Sequence, residues 1–200
     1  MKRVCAVLLL LFASVLPAAA APIVFTASLS GGAESPPNAS PGTGYTTVTI
    51  DPVAHTLRIE AWFSDLVGNT TAAHIHVINS LNDNNTADTN GPVYTTTPSF
   101  PGFPLGVMSG TYDQTFDTLA ATSYNNALLN NAAIMGNTAL AEQALFAGIM
   151  AGDAYLNIHS SFAPGGEIRG FLEPAAVPEP ASLTLLALAL AGAGARRMRR

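Results

Sequence analysis

The sequence predicts a mainly β protein, an antiparallel Greek-key sandwich or barrel with one inserted helix, carried between an N-terminal signal peptide and a C-terminal transmembrane helix. Three observations predict it. Short runs of alternating apolar and polar residues recur through the middle of the chain, separated by clusters of Gly, Pro, Asn and Ser, the pattern of many short strands joined by turns. One stretch alone, residues 139–151, has helical spacing, with Leu140, Ala144, Leu145, Ile149 and Met150 on its apolar face and Gly152 as its stop. The apolar runs too long for strands lie at the two ends.

Taken in order, residues 1–20 join a basic start (Lys2, Arg3) to an apolar run and the segment Ala18-Ala19-Ala20. This is a secretory signal peptide, with cleavage by signal peptidase placed after Ala20 because the next bond would leave Pro22 directly after the cut. Residues 21–175 form the domain. A first strand covers 23–28, and 30–44 is a loop. Residues 45–50 and 56–63 alternate well and are joined by the turn Asp51-Pro52-Val53-Ala54. Another strand covers 72–78, an exposed loop 79–90, and weaker strands 93–96 and 108–116. Residues 118–137, rich in Ala and Asn, read as an extension of the helix or as a long loop.

The sharpest stretch is 152–172, GDAYLNIHSSFAPGGEIRGFL. Two alternating runs, 154–160 and 167–172, flank Pro164, Gly165 and Gly166, which predicts a β-hairpin. Leu156 and Ile158 share one face, and Tyr155, Asn157 and His159 share the other. If the apolar sets coincide, His159 comes close to Glu167 and Arg169.

Residues 176–200 form a second targeting element. Pro178-Glu179-Pro180 precedes an apolar run from 181 to 195, then Arg196, Arg197, Met198, Arg199 and Arg200. Fifteen helical residues span about 22 Å, short of the roughly 30 Å hydrocarbon core, and snorkelling arginines with local thinning cover the difference. The arginines then stay cytoplasmic and the domain lies outside.

Charge excludes one class of partner. Of thirteen acids twelve lie in residues 21–176, but of eight bases only Arg58 and Arg169 do. The mature domain thus carries a net charge of about −10, and phosphate backbones would repel it, so no nucleic acid partner is expected. The one cysteine, Cys5, lies in the leader, which leaves the domain with no disulfide and no thiolate ligand.

Candidate chemistry rests on histidine. His74 and His76, two apart on a strand, present both imidazoles to one side. With His159 they make three nitrogen ligands for copper or zinc, and Glu167 is a candidate fourth ligand or anchor. The same residues also fit a hydrogen-bonded polar network of Asn157, Glu167 and Arg169 in which Glu167 and Arg169 pair. His55 sits in a turn and reads as unrelated. The loop 79–90 lacks the spacing of a calcium loop. No motif specifies a reaction, so no catalytic residue is assigned.

Two resemblances follow from these residues. The tail, through Pro178-Glu179-Pro180, its short apolar run and Arg196-Arg197, resembles the PEP-CTERM sorting signal, which implies an exosortase-type processing enzyme as partner. The middle resembles a CHRD domain. The matching segments are Phe25–Gly31, Glu34-Ser35-Pro36-Pro37, Gly42-Thr43-Gly44, Ala73-His74-Ile75-His76, Gly91-Pro92-Val93, Tyr155–His159 and Gly165–Gly170. A fainter likeness is to copper/zinc superoxide dismutase, a Greek-key barrel with an H-x-H strand. Val93 stands where that enzyme has a bridging histidine, so the likeness implies the fold and a mononuclear site rather than dismutation.

The expected protein is therefore exported, membrane-anchored through its C-terminal helix until processed, and then at the cell surface or extracellular. It is a binding or structural module of the envelope or biofilm matrix, with surface polysaccharide or other envelope proteins as partners. The alternative is a copper- or zinc-binding protein with redox or hydrolytic chemistry at the three histidines.

Overall fold

The computed structural model describes residues 21–78, 81 and 90–176. The signal peptide and the C-terminal apolar run lie outside them. Among the described residues no helix is long and apolar enough to cross a membrane.

Eight strands form one antiparallel sheet. They are β1 (Ile23–Ser30), β2 (Thr43–Asp51), β3 (Thr56–Ser64), β4 (Thr70–Val77), β5 (Gly110–Asp117), β6 (Ala154–Ser160), β7 (Ile168–Phe171) and β8 (Glu173–Pro174). The order is β4-β6-β7-β1-β2-β3-β5, with β8 beside β1. Alternation explains the register. Phe25 and Leu29 of β1 sit across from Val48 and Gly44, and Val48 in turn from Ile59, so apolar side chains from each strand line one concave face. Asp51 shapes the β2–β3 turn by accepting from the amides of Val53 and Ala54.

The sequence expectation of a sandwich or closed barrel is corrected here. The sheet curls into a half-barrel, and among the described residues no ladder joins its edges β4 and β5. The irregular segment 91–109 occupies the gap instead. It runs along β4 through Tyr94 N to Ile75 O (3.0 Å) and Phe100 N to Ala73 O (3.2 Å), and Thr70 N donates to Val107 O (2.8 Å). The strand expected at 93–96 is reduced to isolated bridges, His76 with Val93 and Thr95 with Tyr124. Pro92, Pro98, Pro101 and Pro104 cannot donate to a ladder, which accounts for the irregularity. Phe100, Phe103, Tyr112 and Phe116 fill the space beneath it.

Among the described residues there are two α-helices where one was expected: α1 (Asn126–Leu129) and α2 (Thr138–Ala151). The Asn137 side chain caps α2 by accepting from the amides of Ala139 and Leu140, and Gly152 ends it in the left-handed region at φ 78°. Its buried Leu145 and Ile149 join the core against β4 and β6. Residues 118–137 do not prolong α2, because the left-handed Gly136 (φ 75°) separates them from its cap. Ile75, Val77, Leu156, Ile158 and Ile168 are buried as the alternation requires.

Candidate metal centre

β4 and β6 run antiparallel with His74 opposite Asn157 and His76 opposite Tyr155, and β7 places Arg169 opposite Asn157. Residues directly opposite project to the same side. The apolar residues between them face the core, so His74, His76, Tyr155, Asn157, His159 and Arg169 emerge together on the convex face. Most of that face is closed to water: His74 is 7% exposed, His76 8% and Arg169 2%, while His159 is half-buried at its edge.

The three imidazoles converge. Ring centroids lie 5.1–5.8 Å apart, and one nitrogen from each falls within 4.8 Å of the other two. Each ring spends its other nitrogen on a backbone carbonyl. His74 Nε2 lies 2.8 Å from Pro98 O, His76 Nδ1 2.8 Å from Gly91 O, and His159 Nδ1 2.9 Å from Pro164 O. A carbonyl only accepts, so each of those nitrogens carries the proton, and the tautomers follow. The remaining nitrogens, Nδ1 of His74 and Nε2 of His76 and His159, carry lone pairs. His74 Nδ1 and His159 Nε2 are 3.3 Å apart, and His76 Nε2 is buried with no hydrogen-bond partner among the described residues.

Burial, joined by the neighbouring His159 and, for His76, also by His74 and Arg169, lowers the pKa of His74 and of His76 to about 4 from the usual 6.5. Burial also lowers that of His159. At neutral pH the cluster is uncharged, the form in which imidazole binds metals. The carbonyl anchors play the part that outer hydrogen bonds play around bound metals, fixing tautomer and ring plane.

Glu167 joins neither the histidines nor Arg169. It precedes β7 and turns away, so that its carboxylate accepts from Ser40 Oγ (2.6 Å), Val67 N (2.6 Å), Gly68 N (3.2 Å) and Ser160 Oγ. Burial would raise its pKa, but these donors together hold it below the usual value. The acid beside Arg169 is Glu34, with Oε2 3.8 Å from Arg169 Nε. Arg169 also donates to Ala33 O (2.6 Å) and Asn90 Oδ1 (2.8 Å) and lies over the Tyr155 ring at 4.7 Å. Glu34 has its pKa raised to about 7 by burial, against the pull of Arg169 and a hydrogen bond from Asn157. The expected pairing of Glu167 with Arg169 is thus replaced by Glu34 with Arg169. Sequence reasoning missed Glu34 because it lies in an irregular loop far from the hairpin. His55 is not idle either: its Nδ1 lies 3.0 Å from the Glu142 carboxylate, which Thr118 Oγ also reaches.

The family model for the CHRD domain matches residues 25–172, and that for the PEP-CTERM protein-sorting motif matches residues 176–200. No curated protein and no solved structure matches the chain, so the likeness to superoxide dismutase has no support from them.

Proposed function

The chain belongs to the CHRD domain family and ends in a PEP-CTERM motif, and from that premise we propose that it is an exported, exosortase-processed module of the cell envelope or matrix whose domain binds one copper or zinc ion. The observation that carries the metal is the set of three imidazole lone pairs within 4.8 Å of one another, each ring held by a carbonyl on its far side. A hydrogen-bonded network of the same rings is the weaker reading, because among the described residues it lacks donors. With its far-side proton committed, none of the rings can donate to another, and a water offers two protons to three acceptors. The His74–His159 spacing of 3.3 Å matches the edge of a tetrahedral site with metal–nitrogen bonds of about 2.0–2.1 Å.

Metal analysis and copper and zinc titration of the purified protein, beside a His74→Ala/His76→Ala double variant, test this. One equivalent bound by the wild type and lost in the variant is expected. Failure to bind either ion above micromolar affinity, with stability unchanged by chelator, would end the reading.

A further inference from the structure

Resting on the metal-binding reading, we infer that the three-histidine centre selects monovalent copper, Cu(I), over Zn(II) and Cu(II). The first reason is the charge of the donor set. All three donors are neutral imidazoles, and among the described residues no carboxylate completes the cluster. Glu167, the one acid that the hairpin could have offered, is committed to four donors elsewhere. Among the described residues, therefore, no ligand carries a charge that would offset that of a bound ion.

The second reason is desolvation. The cost of taking an ion from water into a poorly polarisable interior rises with the square of its charge, so a divalent ion costs about four times as much as a monovalent one of like size. His74 and His76 are more than nine-tenths buried, and the Nε2 of His76 is buried with no hydrogen-bond partner among the described residues. Arg169 already places a positive charge on this face, stacked on Tyr155, whose ring in turn stacks on His76 at 4.9 Å and 11°. Positive charge at the histidines meets that guanidinium, which the neighbouring, hard-to-ionise Glu34 offsets only in part. Glu34 registers the same environment: it remains hard to ionise although a guanidinium lies beside it.

The third reason is coordination number. Zinc is almost always four-coordinate in proteins, and on three histidines its fourth ligand is a water, which must find room beside the cluster. Among the described residues the cluster supplies three. Cu(I), with a filled d shell, is satisfied by three nitrogen donors in or near one plane, and imidazole is a competent ligand for it. The rings need no proton removed to bind at neutral pH.

The decisive measurement is the ratio of affinities on the wild-type protein, which needs no variant to fold. Cu(I) is titrated anaerobically with ascorbate against a chromophoric Cu(I) chelator, Ag(I) serves as a redox-inert monovalent probe, and Zn(II) and Cu(II) are titrated against their own chelators. One equivalent of Cu(I) and of Ag(I) is expected, with Cu(I) held at least about 100-fold more tightly than Zn(II) or Cu(II), a difference of about 2.7 kcal/mol. His76→Gln, verified as folded by circular dichroism, should lose that affinity, while His55→Ala should keep it. Zinc or Cu(II) bound as tightly as Cu(I) overturns this inference and leaves the metal-binding reading standing. Absence of binding by all four ions overturns both.

Discussion

His74 Nδ1 and His159 Nε2 face each other at 3.3 Å with no proton between them, since each ring has given its proton to a carbonyl, Pro98 O and Pro164 O. The pair is a held repulsion that a cation relieves, and a proton is the simplest cation. The metal-free protein should therefore be acid-sensitive. Histidines whose folded pKa lies below 6.5 leave the unfolded chain holding more protons, so stability falls as pH drops from 6.5 towards the folded value of about 4 for His74 and His76. Glu34 works in the opposite sense: its folded value of about 7 against 4.5 means that its contribution is lost as pH rises through that window. Three histidines outweigh one acid, and urea denaturation after chelation should show stability falling by roughly 1–3 kcal/mol per pH unit near pH 5. A flat profile between pH 7 and 4.5 contradicts it.

Glu167 provides a contrast within the same hairpin. Its carboxylate ties β6, through Ser160, to Ser40 and to the amides of Val67 and Gly68. Glu167→Gln keeps the shape but replaces one acceptor oxygen by a donor that meets donors. It should lower stability by about 2–4 kcal/mol in chemical denaturation, yet leave metal stoichiometry at one. A lost metal equivalent in a folded variant would place this residue in the centre.

How far the sequence carried is clear from particular elements. Period-two alternation was enough to locate β2, β3, β4 and β6, because each buries one face and exposes or repurposes the other. The H-x-H pair and His159 were legible for the same reason: strand parity fixes which side a residue faces, and the hairpin kept its expected register. Curling into one sheet was not legible, since alternation says nothing about which strands become edges. Glu167 defied parity because it sits just outside β7, where the turn at Gly166 (φ 138°) frees it to follow its donors. Glu34 and the carbonyls of Gly91, Pro98 and Pro164 left no trace in residue type, since irregular backbone delivers them.

The tail makes an independent prediction. Removal of residues 196–200, which contain Arg196 and Arg197, or replacement of Pro178, Glu179 and Pro180 by alanine, leaves the domain intact but alters the matched sorting motif. Exported protein should then accumulate in the membrane fraction at uncleaved mass. Release of normally processed protein by either variant, read by fractionation and mass spectrometry, would show that the motif is not used.

Gly91 links the backbone to the centre. Its carbonyl holds His76 Nδ1 and its amide donates to Tyr155 Oη at 3.1 Å, while a Cβ there would run into the backbone of Val77 and Ile78. Backbone cannot swing aside as a side chain can, so in Gly91→Ala the segment after 90 must shift and carry the carbonyl with it. Metal affinity should fall about 10–100-fold, as it does when the outer partner of a ligating histidine is lost, with stability down by about 1–3 kcal/mol. Gly102→Ala is the matched control. Its Cβ would meet nothing within 4 Å, and only its φ of 74° opposes alanine, so it should cost about 1 kcal/mol and leave affinity unchanged. If both variants bind metal like the wild type, the carbonyl of Gly91 does not orient His76, and the lone pair of that ring is not held for an ion.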